Sequence, residues 1–440
     1  MKTNIIKYFF LLTFTGFAAN YLNAQDILKL NVNEAIEVGL KNSKMLNSSL
    51  ARLKSSEAKL KETDASRLPS LKFSTGYTRL SNVDPFSITT PFGTFNISPS
   101  ILNNYQTKLS LAQPIFTGFK LQSLSEMAEY SASATNEEFN KDKNDLIFNI
   151  RNSYWGLFKA VQIKKVIDEN VDQINVHLND AKNLLNQGML TNNDILKIEV
   201  QYYDALLRQV DVNNNLKLAM INLNSIMGIA LNTEIEIETL PNQSNEEFDE
   251  LNNLVNNAIN NRSEIKSANY KIKAGESGIT LAKSNWYPQI LLFSNFYYSR
   301  PNPRIVPGQD KFNETWDAGI SLNWDVWNWF STSYQTDQAE AVLTQTRDGL
   351  GIIKDAVTLE VTQNYLTVNQ NKLKIDISEK GLTQAEENMR IINEKFKLGL
   401  VTSSDVIDAD VALLQAKTNY TNTIVDYELA KAKLHKSLGE

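Results

Sequence analysis

The chain has 440 residues, 42% hydrophobic and 21% charged, with a formal net charge of −6; this is the composition of a folded protein, and neither the charge nor any Lys/Arg block suits a nucleic-acid partner. The absence of cysteine excludes disulfides, thiolate chemistry, cysteine-based zinc sites and a lipid-bearing N-terminal cysteine. His177 and His435 are the only histidines, and there is no HExxH run, Ser/His/Asp order or Gly-rich phosphate loop after a strand, so neither an enzyme nor a cofactor or metal site is expected.

Residues 1–24 read as a secretory signal peptide: Lys2 and Lys7, an apolar run from Tyr8 to Ala19, then Leu22-Asn23-Ala24 before Gln25. That run is about 12 residues, short of the roughly 20 a transmembrane helix needs. No later stretch approaches one, so any membrane crossing has to use β-strands. From Asn33 to about Leu68 a helix is expected, broken near Ser43 and closed by Pro69. Strands at 71–80 and 105–114 follow, with Leu71, Phe73, Thr75 and Tyr77 alternating with polar neighbours in the first. Between them Pro85, Pro91, Gly93 and Pro99 predict a long loop from Asn82 to Asn104 with no ladder.

From 119 to 187 there is no proline and only Gly156 interrupts, which predicts a rod of about 100 Å. Val171, Ile174, Leu178, Ala181 and Leu185 give it a coiled-coil seam, broken upstream by Lys164 and Asp168. The rod turns at Gly188, and a return helix over 191–227 packs back with Ile195, Ile198, Tyr202 and Ala205 on its stripe and Gln209 as the exception. A connector over 229–246 carries a short strand near Ile235 and Ile237. The pattern then restarts over 247–440: a helix broken near Arg262, strands 289–299 and 315–326, a long helix 331–398 and a return helix 402–438.

The restart is a true repeat. Gly188-Met189-Leu190-Thr191 with Asp194 recurs 211 residues later as Gly399-Leu400-Val401-Thr402 with Asp405, an offset that also carries Tyr105 onto Trp316, Phe119 onto Phe330 and Tyr154 onto Tyr365. Pro69 and Pro288 stand 219 apart, because the first interstrand loop is eight residues longer. Residues 25–228 and 247–440 are thus two copies of one unit. In the last strand Trp316, Ala318, Ile320, Leu322 and Trp324 alternate with Asp317, Gly319, Ser321, Asn323 and Asp325, one face for lipid and one for water. Around Ile290-Leu291-Leu292-Phe293 both faces are apolar, for which the sequence offers only closer packing. Four strands cannot close a barrel, and open edges are not tolerated in lipid. Since about eight strands leave an interior filled by side chains, a water-filled pore needs at least three chains and twelve strands.

Leu109 to Phe119 (LSLAQPIFTGF), Lys395 to Ala416 (KFKLGLVTSSDVIDADVALLQA) and Asn183 to Gln201 resemble the strand-to-helix junction and helical turns of the TolC-type outer-membrane efflux proteins, and the likeness covers essentially the whole mature chain. Trp327-Asn328-Trp329 departs from the expected glycine-containing junction. The resemblance implies a mainly α fold with membrane β: a homotrimer in which four strands per chain build a twelve-stranded outer-membrane barrel continuous with a long α-helical barrel in the periplasm. It implies a passive exit duct whose tips dock a periplasmic adaptor protein joined to an inner-membrane pump. By the same resemblance Asp405 and Asp408 ring the periplasmic gate, although Thr402-x-x-Asp405 also reads as a capping box. Lys197 replaces Asp408 in the other copy, so the two return helices are expected to differ in role. The resemblance also implies that Gly188, Met189, Leu190, Gly399, Leu400 and Val401 are the adaptor-docking tips. The rival reading is a periplasmic or surface coiled-coil protein without channel activity, against which the twice-repeated strand hairpins argue.

Overall fold

The computed structural model describes residues 28–82, 84–98, 100–238 and 247–440; the signal segment 1–24 and the connector beyond residue 238 lie outside them. The first copy runs β1 (Leu28–Leu30), α1 (Val32–Asn42), α2 (Lys44–Ala65), β2 (Ser70–Arg79), β3 (Phe86–Thr90), β4 (Gly93–Ser98), β5 (Asn103–Phe116), α3 (Lys120–Asn186) and α4 (Asn192–Met227). After β6 (Ile235–Ile237) the second copy runs α5 (Leu251–Asn261), α6 (Ser263–Lys283), a 3-10 turn, β7 (Gln289–Arg300), β8 (Asn313–Asn323), α7 (Ser331–Lys397) and α8 (Ser403–Leu438). None of the described helices is long and apolar enough to cross a membrane.

Local chemistry sets the breaks. Asn31 and Glu34 form a capping box at the start of α1, and Ser43 leaves helical geometry (ψ 117°) so that its hydroxyl accepts the Leu46 N–H at 3.2 Å and restarts the chain as α2. Both rods are 67 residues, about 100 Å at 1.5 Å per residue. The polar residues that interrupt the first seam are partnered: Lys164 pairs with Asp168, whose other oxygen accepts from Gln209 of α4 at 2.8 Å. Two exceptions on facing helices thus satisfy each other.

The strands order as β2-β5-β7-β8, all antiparallel, so the β5–β7 pairing welds the two copies into one sheet while the outer edges of β2 and β8 are unpaired among the described residues. The hairpins superimpose under the repeat: Leu71 lies opposite Leu111, and their counterparts Ile290 and Leu322 lie opposite each other. Likewise the Gln113 amide donates to the Arg67 carbonyl at 3.0 Å, and its counterpart Trp324 donates its indole N–H to the Trp286 carbonyl at 3.1 Å. Leu71, Phe73, Ile320 and Leu322 stand exposed on the apolar face. The doubly apolar strand has a local reason: Phe293 sits on the polar face over Gly319, where an added Cβ would come within 2.9 Å of its ring.

The expectation of a ladder-free loop over Asn82–Asn104 is corrected. β3 and β4 pair there as a separate hairpin, with Thr89 and Thr94 side chains 3.1 Å apart across it. Pro85 precedes β3 and Pro91 occupies the turn, so these prolines bound the strands without lying in the ladder. The last strand also ends at Asn323, short of the expected residue 326.

Three clusters hold the helices. One gathers Ala35, Ile150, Tyr154, Leu157, Leu223 and Met227 beside the small parallel sheet of β1 and β6. Its second-copy counterpart gathers Ala258, Val361, Val368, Leu434 and Leu438. A third fills the lower bundle, where Ile174 and Ala181 of α3, Ile198 of α4, Phe396 of α7 and Val406 of α8 meet.

Candidate channel gate and helical tips

Each rod reverses at a glycine. Gly188 (φ 74°) and Gly399 (φ 70°) adopt left-handed backbone, and the Schellman closures match: Met189 N–H donates to the Leu184 carbonyl at 2.9 Å and Leu400 N–H to the Lys395 carbonyl at 3.0 Å. The two turns meet, because the Met189 Cε lies only 2.9 Å from where a Cβ on Gly399 would stand. Met189 and Leu400 remain 52% and 69% exposed, whereas Leu190 and Val401 pack onto the lower bundle. Apolar side chains therefore stay uncovered at the end of each hairpin.

Both return helices start with complete capping boxes, Thr191/Asp194 and Thr402/Asp405. Asp405 Oδ2 accepts the Thr402 N–H and hydroxyl, each at 2.7 Å, and the Asp405 N–H donates back to the Thr402 oxygen at 3.3 Å. The Thr402 hydroxyl holds the Asp405 carboxyl below the usual carboxylate range. Asp408, one turn later, has no capping duty. The two carboxylates share an exposed stripe of α8 with Ala412, Gln415 and Asn419, and Lys197 is exposed at the matching place on α4.

Behind that stripe lies a polar centre that sequence reasoning missed. Asp410, two residues past Asp408, points into the bundle and accepts the Asn170 amide of α3 at 2.7 Å. Its other oxygen, Asn170 Oδ1 and His177 Nε2 are buried and make no hydrogen bond among the described residues. Two cavities of about 10 Å³ flank Asp410, one shared with His177 and Gln201 and the other with Asn170 and Lys417; each is near the size of one water. Burial pushes the Asp410 carboxyl up and His177 down to about 4, the imidazole packing edge-on to Phe396 with centroids 4.5 Å apart. The available signal was register: Asp410 falls among Val406, Ala409 and Leu413 on the buried stripe of α8.

The sign of each effect on stability follows from these directions. The folded chain binds the Asp410 proton more tightly than the unfolded chain, so this group removes stability as pH rises beyond the ordinary carboxylate range. His177 acts oppositely, removing stability as pH falls from 6.5 toward 4. Asp410→Asn keeps an acceptor for Asn170 and discards the buried charge. It is expected to stabilise the lower bundle by about 1–3 kcal/mol at pH 8 and by less at pH 4, as read from unfolding midpoints at the two pH values. An equal gain at both would deny the carboxylate a charged buried state.

A sheet with one lipid-suited face and two free edges, continuous with rods about 100 Å long, defines the wall segment of a membrane channel. A sequence profile described as "Outer membrane efflux protein" matches residues 35–229 and 254–440, one segment in each copy. The chain belongs to this family, as a TolC-type protein of the outer membrane. It is 21% identical over 345 residues to outer membrane protein TolC of Escherichia coli (strain K12), covering 77% of this chain and 70% of that protein. Among solved structures, the transmembrane channel protein CusC matches with a TM-score of 0.79 at 16% identity, covering 92% of this chain and 91% of that one. The outer membrane protein VceC of Vibrio cholerae matches with a TM-score of 0.77 at 17% identity, covering 93% and 96%.

Proposed function

We propose that this protein is the exit duct of a tripartite export system: a homotrimer whose twelve strands close one barrel in outer-membrane lipid and whose rods continue as an α-helical tube across the periplasm. The observation that carries this is the four-stranded sheet with an apolar face and unpaired β2 and β8 edges, joined directly to two 67-residue rods. The duct conducts passively, and its energy comes from an inner-membrane pump reached through a periplasmic adaptor. Exposed Met189 and Leu400, at hairpin ends that touch each other, supply the apolar surface for that adaptor. Asp405 and Asp408 face the narrow opening, where three chains would gather six carboxylates and attract cations.

Purified protein in detergent is expected to run as a heat-modifiable trimer and to give single-channel conductance in planar bilayers; a water-soluble monomer without conductance defeats the proposal. Met189→Glu with Leu400→Glu is expected to abolish export in cells and leave bilayer conductance unchanged. Normal export by that double variant would remove the docking role from the tips.

A further inference from the structure

The loop between β7 and β8, residues 301–312, is folded onto the end of the sheet and gripped on both of its faces. On the apolar side the Phe312 ring stacks on Tyr298 with centroids 5.0 Å apart, and Arg300, bonded to Asp310 at 2.8 Å, lies against the Tyr105 and Phe312 rings. On the polar side Asn302 is only 1% exposed. Its amide donates to the Asn313 carbonyl at 3.0 Å and to the Thr315 hydroxyl at 3.2 Å, and its side-chain oxygen accepts the Arg304 N–H at 3.0 Å. That Asn turn carries Arg304 onto the polar face.

There the Arg304 guanidinium pairs with Asp317, donates to the Trp316 carbonyl at 3.2 Å and lies 4.7 Å from the centre of the Tyr297 ring. Asn295 donates to the other Asp317 oxygen at 2.7 Å, and the Lys108 ammonium reaches the same Tyr297 ring at 5.3 Å. Register explains the meeting. Lys108, Tyr297 and Thr315 form one row across β5, β7 and β8, and Ser110, Asn295 and Asp317 form the next polar row toward the rods, which β2 continues with Lys72. One aromatic ring thus steadies two cations.

The charges on this face do not cancel. Along the four strands its charged positions are the bases Lys72 and Lys108 and the acid Asp317. Arg304, supplied by the loop, offsets the acid and leaves both lysines in excess. While so held, the Arg304 side chain is still 44% exposed, so its remaining N–H groups are open to an acceptor. At the equivalent point the first copy has the β3–β4 hairpin, so each chain brings one such loop.

We propose that the outer half of the barrel is an anion-preferring filter made by Lys72, Lys108 and Arg304, whose ligands are multivalent anions and whose sign is opposite to that of the acidic opening at the helical tips. The proposal rests on the exit-duct reading above, which turns the polar face to the lumen, and adds which charge the barrel end favours. Repeated in three chains round one water-filled passage, the excess bases raise the local concentration of anions and hold cations back. An acid at one end and a base at the other give the duct a polarity along its length.

The test uses the full-length protein in planar bilayers at about 0.1 M salt, where charge is felt over about 10 Å. Inorganic triphosphate is added to each chamber in turn, and block of the native channel from the barrel end is expected. Lys108→Gln lies outside the loop's own contacts and should weaken that block, as should Arg304→Gln; together they are expected to weaken it about tenfold or more. Asp317→Asn keeps an acceptor for Asn295 and removes the only acid, so it is expected to strengthen the block. A loop that merely braces the strands would move Asp317→Asn and Arg304→Gln in the same direction, since either change frees it. That result, an absence of native block, or unchanged block in the Lys108→Gln, Arg304→Gln double variant overturns the filter and leaves the duct standing. A native protein with no conductance at all would instead defeat the duct reading beneath it.

Discussion

Replacing Asp405 and Asp408 together by asparagine is expected to weaken block by a trivalent cation on the periplasmic side about tenfold or more, the scale on which focused charge raises local counter-ion concentration. Both carboxylates stand on the exposed stripe of α8 within the first two turns after the tip. Their shapes survive the change, since an asparagine oxygen still accepts from the Thr402 N–H that Asp405 now holds at 2.7 Å. The helix start is therefore preserved and the charge alone is removed. Asp408→Asn by itself separates gating from capping, because only Asp405 belongs to the Thr402 box. Single-channel records titrated with the cation decide the matter: unchanged block in the double variant would take the gate away from these residues.

Tyr154→Ala is expected to cost about 3–5 kcal/mol, the range for deleting a buried aromatic ring. Tyr154 is fully buried, its ring edge-on to Trp155 at 5.7 Å and its hydroxyl donating to the Leu30 carbonyl at 3.0 Å. Leu30 belongs to β1, whose parallel pairing with β6 fastens the connector to the middle of the rods. Tyr154→Phe keeps the ring and loses the bond to the Leu30 carbonyl, so about 1 kcal/mol is expected. Tyr365, its counterpart, is half-buried, and Tyr365→Ala should cost less than Tyr154→Ala. Denaturant midpoints for the three variants test the order; equal losses from Tyr154→Ala and Tyr154→Phe would place the energy in the hydroxyl and not in packing.

The helices were legible because each carries its own instructions. Proline-free runs, capping residues such as Thr191 and Thr402, and glycines at the turns are local signals, and helix ends differ from those read in the sequence by only a few residues. The two helix turns were located equally well, since Gly188 and Gly399 have the left-handed backbone that turn chemistry requires. Their role in transport belongs to the proposal above. Partner-dependent features were not legible. The β3–β4 hairpin hid behind prolines that turned out to bound its strands, and β8 stopped before Trp324 because β7 offers no pairing residue beyond Gln289 opposite Asn323.

Volume exchange between the copies shows the same division. Gly39 admits no Cβ against Ile150. At the equivalent places the second copy has Ala258 and Val361, both fully buried in one cluster, where a methyl gained on one helix accompanies a methyl lost from the other. Either residue alone carries no hint of the exchange.

By itself the sequence determined that one unit is built twice, where the rods and the four strands of the main sheet lie, and which face is apolar where the period is clean, because period and turn chemistry act over a few residues. Only the tertiary structure decided what covers each face: that β5 and β7 join the copies, that Phe293 rests on Gly319, and that Asp410 faces inward to Asn170 while Asp408 faces out. Those choices depend on residues tens to hundreds of positions apart, and a hydrophobic period says that a surface will be buried without naming what buries it.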